Sequence, residues 1–69
     1  MSTNAVAADE ISLRMFQEAL ERARVRLGGN EHVAAYLGVG ERAVRRWRAG
    51  TRVPRHREIG RMYARLLQA

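Results

Sequence analysis

Residues 30–50, NEHVAAYLGVGERAVRRWRAG, contain two short helical patterns separated by a turn rich in glycine. The first pattern covers 31–37 and follows Asn30, which we predict to be its cap because asparagine is favoured at helix N-termini. Gly38 ends this helix, since glycine readily adopts the left-handed conformation that closes a helix. The second pattern predicts a helix over 41–49, which is followed by another glycine. Two short helices joined by a tight turn are therefore expected here.

The segment before residue 30 predicts a longer, amphipathic helix. We expect it to begin at a cap on Asp9 and to run to about Leu27, where Gly28 and Gly29 end it. Its apolar residues recur at helical spacing and predict the face that is buried: Ile11, Phe16, Ala19, Leu20, Ala23 and Leu27.

The segment after residue 50 predicts a loop and one more helix. Residues 51–54 end in Pro54, which restricts the preceding residue and donates no backbone hydrogen bond, so this stretch is expected to be a loop. A last helix is predicted over 55–68, because four apolar residues follow the period of one helix face: Ile59, Met62, Tyr63 and Leu66. The sequence thus predicts an all-α fold of four, at most five, helices. Residues 1–8 are expected to be a flexible tail and 9–69 a single domain.

Charge is distributed unevenly along the chain. The net charge is +6, and all 13 basic residues are arginine. The acidic residues are concentrated before Arg22, whereas the arginines dominate after it, and the segment from Arg42 to Arg57 contains no acid. Since apolar residues are interleaved with these arginines, the pattern favours a folded, polyanion-binding surface over a disordered basic tail.

The composition argues against several other classes of protein. The chain lacks cysteine, and His32 is far in sequence from His56, so we expect no disulfide, metal or other cofactor. We found no nucleophile and base at suitable spacing and predict that the protein is not an enzyme. Neither a membrane span, which needs about 20 apolar residues, nor a signal peptide is recognisable, so a cytoplasmic protein without a membrane partner is expected.

The predicted helix over 41–49 has two different faces. If Val44 and Trp47 point into the core with Ala43 beside them, the opposite face carries Arg42, Arg45, Arg46 and Ala49. Arginine presents a planar fork that matches the O6 and N7 atoms of guanine in the major groove. Trp47 could also stack on bases, as aromatic residues do in single-strand binders, but its spacing from Val44 favours a place in the core.

Residues 30–50 resemble the helix-turn-helix of the Cro and lambda-repressor-like family. The features that match are a small residue where the two helices cross, a glycine at the turn, an apolar residue beneath the turn and two buried residues on the second helix. In this chain they are Ala34, Gly38, Val39, Val44 and Trp47. The sequence departs from the family at Gly40, where serine or threonine is usual, so a hydroxyl contact to DNA from that position is not expected.

The resemblance implies a role for each position of the second motif helix. Its exposed N-terminal half faces the base edges, and we expect Arg42 and Arg46 to read guanines. Arg45 is expected to contact a base or a phosphate. Glu41 either accepts from a cytosine amino group or pairs with Arg45 one turn later.

Phosphate contacts are expected around this helix. The resemblance implies that the N-terminus of the first motif helix, with Asn30, holds a phosphate of the DNA backbone. Other predicted phosphate contacts lie on or just after the second motif helix: Arg48, Thr51, Arg52 and Arg55. Arg57 and Arg61 either extend this surface or only keep the last helix soluble.

The resemblance implies a double-stranded DNA-binding transcriptional regulator, a repressor of phage or plasmid type that is encoded by a phage or bacterium and associated with the nucleoid. One such unit reads too few base pairs to be selective in a genome, so we predict a homodimer on a palindromic operator. The dimer surface is expected in the segment through Leu13 or around Leu67. Two alternatives remain open: an antitoxin-like module that contacts a protein partner through its N-terminal segment and represses its own gene, and a nonspecific architectural DNA binder.

Overall fold

A computed structural model describes residues 10–69 of the chain. Four helices form this part of the protein: α1 (Leu13–Leu27), α2 (Asn30–Leu37), α3 (Glu41–Ala49) and α4 (His56–Gln68). No strand occurs within 10–69, so the predicted all-α class and four-helix count are confirmed for the described residues. The predicted tail at 1–8 and the predicted cap at Asp9 lie outside them.

The cap of α1 differs from the prediction. Ser12 is the N-cap, and its hydroxyl oxygen accepts a hydrogen bond from the Met15 backbone N–H at 3.1 Å. The helix therefore begins at Leu13, because Ser12 satisfies an N–H group that has no partner within the helix. Ile11, which was predicted to lie on the buried face, is buried just before the helix starts.

Asn30 is not the cap of α2, contrary to the prediction. It is the first residue of the helix, and Gly29 precedes it as the N-cap without any side-chain capping hydrogen bond. The Asn30 side-chain oxygen instead accepts from the Arg48 guanidinium at 3.4 Å. The sequence alone could not show this competition, because Arg48 reaches Asn30 only once α3 has packed beside α2.

The turn between α2 and α3 depends on Gly38. This residue has φ +75°, in the left-handed region, and its N–H bonds back to the carbonyls of Ala34 and Ala35. The Val39 N–H also donates to the Ala34 carbonyl at 2.9 Å. These hydrogen bonds close α2 in the way that glycine-ended helices commonly do, and α3 can begin at Glu41.

One apolar core joins all four helices. Its largest fully buried side chains are Phe16 and Leu20 of α1, Val33 of α2 and Val44 of α3, and Met62 and Leu66 bring α4 into the same cluster. Burial of each large apolar side chain contributes roughly 1.5–3 kcal/mol. The predicted inward face of α1 is largely confirmed, although Leu27 is only partly buried. Four residues outside α1 are also partly exposed: Val39, Ile59, Tyr36 and Tyr63.

The last helix begins one residue later than predicted. Arg55 is the N-cap with extended backbone angles, and α4 begins at His56. Pro54 is buried in the loop that precedes it. The bounds of α3, Glu41–Ala49 with Gly50 after it, agree with the prediction.

Candidate nucleic-acid interface

The inner face of α3 is fixed by two buried residues. Val44 is completely buried, and Trp47 retains only 7% exposure. The Trp47 ring meets Phe16 of α1 edge to face, with ring centroids 5.8 Å apart and planes at 67°. Such pairs are a favoured aromatic geometry in protein cores, so the core interpretation of Trp47 is confirmed, and the indole is unavailable for stacking on bases.

The outer face of α3 carries arginines. The exposed residues are Arg42, Arg45, Arg46 and Ala49, which agrees with the face predicted from the helical period. Within residues 10–69, the guanidinium groups of Arg42 and Arg46 make no hydrogen bond or ion pair. Two arginines four residues apart on one helix face project in similar directions. They can therefore reach a polyanion together.

Arg45 and Glu41 form a pair on the same face. The Arg45 guanidinium donates to the Glu41 carboxylate at 2.8 Å, one helical turn away. Of the two roles expected for Glu41, the structure shows the pair with Arg45. An exposed pair of this kind is worth only a few tenths of a kcal/mol, about 0.3–0.5, so either partner can leave it for a ligand.

The predicted phosphate contacts fall into two groups. Arg52 and Arg55 are exposed in and after the loop that follows α3. Thr51 is also exposed, and its hydroxyl donates to the Arg46 carbonyl at 3.3 Å. Arg48 and Asn30, in contrast, contact each other on the side of α3 that faces α1 and α2. Arg57 and Arg61 are exposed on α4, and His32 is exposed beside Glu31.

Arg48 makes its strongest contact with α1. Its guanidinium donates to the Glu21 carboxylate, which also accepts two hydrogen bonds from Arg24, the shorter at 2.6 Å. Hydrogen bonds from Arg24, which have the larger effect, and from Arg48 lower the pKa of Glu21 from 4.5 to about 2. Glu21 is thus held ionised between two arginines. Sequence analysis identified Glu21 only as part of an acidic region.

Gln17 is a second polar residue of α1 that reaches α3. Its side-chain amide donates to the backbone carbonyls of Trp47 at 3.4 Å and Arg48 at 3.1 Å. These carbonyls lie in the last turn of α3, beyond the regular hydrogen bonds of the helix, and the Trp47 carbonyl also accepts from the Gly50 N–H at 3.2 Å. The sequence analysis missed Gln17, and the only signal was a polar residue beside the buried Phe16.

A groove of about 240 Å³ borders the arginine face. Three arginines, Arg46, Arg52 and Arg55, and one acid, Glu58, lie around it. Its apolar lining includes Trp47, Val53, Pro54 and Met62. The groove extends the positive surface of α3 toward the start of α4. Arg52 and Arg55 therefore belong to the same surface as Arg46.

Two exposed leucines and the lengths of the helices bear on the predicted dimer and on membrane contact. Leu13 and Leu67, the two leucines named as dimer candidates, are exposed by 42% and 48%. Within residues 10–69, none of the helices is long and apolar enough to cross a membrane.

Comparison with known proteins finds no matching family model, no similar curated protein and no similar solved structure. The function is therefore inferred from the residues of this chain and their geometry.

Proposed function

We propose that the protein is a helix-turn-helix transcriptional regulator that binds double-stranded DNA in a sequence-specific way. In this proposal α2 and α3 are the two motif helices, and α3 enters the major groove. The observation that carries the proposal is the division of α3 into a buried face, with Val44 and Trp47, and an exposed face on which the guanidinium groups of Arg42 and Arg46 have no partner within residues 10–69.

The surrounding surface supports the same reading. Arg52 and Arg55 are exposed next to Arg46 around one groove, in positions suited to the phosphates that flank a major-groove contact. The net charge of +6 attracts any nucleic acid and makes binding salt-dependent. Charge alone would also fit a nonspecific architectural binder. The arrangement of two free arginines on one face of a short helix favours base reading.

The small residue at position 34 supports the assignment of the motif. Ala34 is 4% exposed in α2 and accepts the hydrogen bonds that close the turn before α3. A small side chain there allows two helices to approach closely. The resemblance to repressors of phage and plasmid type further suggests that the protein acts as a homodimer on a palindromic operator.

Selection from a pool of random DNA duplexes tests this proposal. We expect enrichment of a palindrome whose half-sites lie about 10 base pairs apart, one helical turn. Arg22→Ala is the matched control for Arg42→Ala and Arg46→Ala, because Arg22 is an exposed arginine in a groove between α1 and α4 and its loss changes the net charge by the same amount. The control should select the wild-type site. A pool that binds but shows no enriched sequence would contradict the proposal and support architectural binding.

A further inference from the structure

We propose that α1 orients α3 for base reading through Gln17 and Glu21, which are positioning residues that do not themselves touch DNA. This inference rests on the proposed function and adds two specificity-determining residues to it. Gln17 and Glu21 lie one turn apart on α1, and both reach the last turn of α3. We refer to the side chains of Gln17, Glu21 and Arg48 as the α1–α3 polar contact.

The Gln17 side chain binds the end of α3 in two places. It donates to the Trp47 and Arg48 carbonyls, which are adjacent acceptors of the last helical turn. The amide nitrogen also lies 3.3 Å from where a Cβ on Gly50 would be, so a residue with a side chain at position 50 would press on it. The end of α3 is therefore closely fitted to Gln17.

Glu21 holds the same turn through a side chain. It accepts from Arg48, whose other terminal nitrogen donates to Asn30 at the start of α2. Arg48 thus links α1, α2 and α3. Its side chain is 33% exposed, compared with 68% for Arg45 on the outer face.

The two kinds of contact between α1 and α3 have different consequences for orientation. Apolar packing of Val44 and Trp47 holds α3 against the core, but the hydrophobic effect is not directional. Hydrogen bonds depend steeply on angle, so the Gln17 and Glu21 contacts fix the tilt and rotation of the helix. A reading residue must be held within about 0.5 Å and 10–20° of its productive geometry. Arg42 and Arg46 depend on that precision.

It follows that Arg48 is a structural residue and not a phosphate contact. In the sequence, Arg48 is grouped with Arg52 and Arg55 because all three lie at the end of the same helix or just after it. The Arg48 side chain binds Glu21 and Asn30, whereas the Arg52 side chain has no partner within residues 10–69. The two arginines should therefore differ in their effect on the salt dependence of DNA binding.

Gln17→Met tests the orienting role, because methionine is similar in length and lacks the amide donor. We expect the ratio of affinities for the selected site and a random duplex to fall about tenfold, as the loss of two hydrogen bonds permits, with affinity for the random duplex unchanged. Tyr36→Phe is the matched control. It removes a hydrogen bond of 2.8 Å from the Tyr36 hydroxyl to the Arg65 carbonyl, between α2 and α4, and should leave the ratio unchanged.

The salt dependence of binding tests the role of Arg48. Arg52→Ala should reduce the slope by about one phosphate contact, whereas Arg48→Met should leave it at the wild-type value. Glu21→Gln should increase the slope by about one contact, since Arg48 is then released toward DNA, and Glu21→Gln/Arg48→Met should restore it. A decrease for Arg48→Met equal to that for Arg52→Ala would overturn the assignment of Arg48.

A measurement without DNA separates this inference from the proposed function. Gln17→Met should speed hydrogen exchange of the Gly50 and Thr51 amides, which donate to carbonyls of the last turn of α3, while Tyr36→Phe should not. If the wild-type protein selects no DNA sequence but exchange changes as expected, the proposed function fails and the orienting contact stands. Exchange and selectivity that both equal the wild-type values in Gln17→Met would refute the orienting contact.

Discussion

Arginine side chains of the same helix do different things in this protein. Arg42 and Arg46 are exposed without a partner among the described residues, Arg45 pairs with Glu41, and Arg48 binds Glu21. The difference arises from the helical period, which turns Arg48 toward α1 and the others toward solvent. Counting the arginines of α3 would therefore overestimate the guanidinium groups that are free to contact a polyanion.

Replacement of a reading arginine should change selectivity as well as affinity. We predict that Arg42→Ala and Arg46→Ala each cost about 1–3 kcal/mol on the selected site and relax the preference at one base position, because each removes a guanidinium fork. Titration of duplexes with single base changes measures this effect. Retention of full selectivity by both variants would show that α3 does not read bases through these residues.

The pH dependence of stability should report on Glu21. Its pKa in the folded protein, about 2, lies below the ordinary value of 4.5, so its ionised form stabilises the fold above about pH 5 and this contribution is lost as the pH falls toward 2. The unfolding free energy of Glu21→Gln should thus fall below that of the wild type near neutrality and approach it near pH 2. Glu18→Gln, which removes an exposed acid of the same helix, should follow the wild-type curve. A constant difference between Glu21→Gln and the wild type at all pH values would refute this role.

At the scale of elements, the turn between α2 and α3 contains two glycines with different requirements. Gly38 has φ +75°, whereas Gly40, the N-cap of α3, has φ −77° and ψ 151°, and an added Cβ there would meet nothing within 4 Å. Of the two glycines in this turn, only Gly38 has a backbone conformation that favours glycine. Gly40 is a cap without a capping side chain.

Substitutions at these glycines should have opposite effects. Gly38→Ala should destabilise the protein by roughly 1–2 kcal/mol, the cost of a left-handed conformation for a residue with a Cβ. Gly40→Ser should stabilise it by a few tenths to about 1 kcal/mol, since serine can cap α3 and restricts the unfolded chain. Urea denaturation measures both. Equal effects of the two substitutions would contradict the turn geometry.

The packing of α2 beneath the turn should limit the size of residue 34. We predict that Ala34→Leu destabilises the protein by about 1–3 kcal/mol, because Ala34 is 4% exposed and a larger side chain must displace its neighbours. Ala35→Leu is the matched control, since Ala35 is the next residue of the helix and is exposed. An Ala34→Leu melting temperature equal to that of the wild type would show that space exists at this position.

At the scale of the whole molecule, the surface combines a positive region on and after α3 with two exposed leucines, of which Leu13 lies in a groove that shares Val53 and Pro54 with that region. Besides Leu13, this groove is lined by His56 and by four apolar residues, Ile11, Val53, Pro54 and Ile59. Leu67 lies beside Arg22 and Arg26. Copies of these arginines would repel each other across a two-fold axis, so the Leu13 side is the better of the two dimer candidates.

Self-association should therefore respond to one leucine. We predict that Leu13→Gln weakens the dimer and lowers affinity for the palindrome more than for a single half-site, while Leu67→Gln has a smaller effect. Sedimentation equilibrium and binding to both duplexes measure this. A wild-type protein that stays monomeric at all concentrations and on DNA would contradict the dimer.

The sequence by itself determined the helices and the two faces of α3. Glycines, proline and the helical period act within a few residues, so the bounds of α3, the buried Trp47 and the exposed Arg42 and Arg46 followed from local patterns. The capping residues were harder to predict. Ser12 rather than Asp9 precedes α1, and Gly29 rather than Asn30 precedes α2, because several residue types can cap a helix and packing selects among them.

Only the tertiary structure decided what the end of α3 contacts. The contacts of Gln17 and Glu21 with α3 join residues that are 27 to 31 positions apart in the sequence. No periodicity relates positions so far apart. Arg48 illustrates the result: its place in the sequence groups it with the exposed arginines of α3, whereas in the fold its side chain binds Glu21 of α1. The reason is that a long side chain at the edge of a helix face finds its partner only after neighbouring helices have packed.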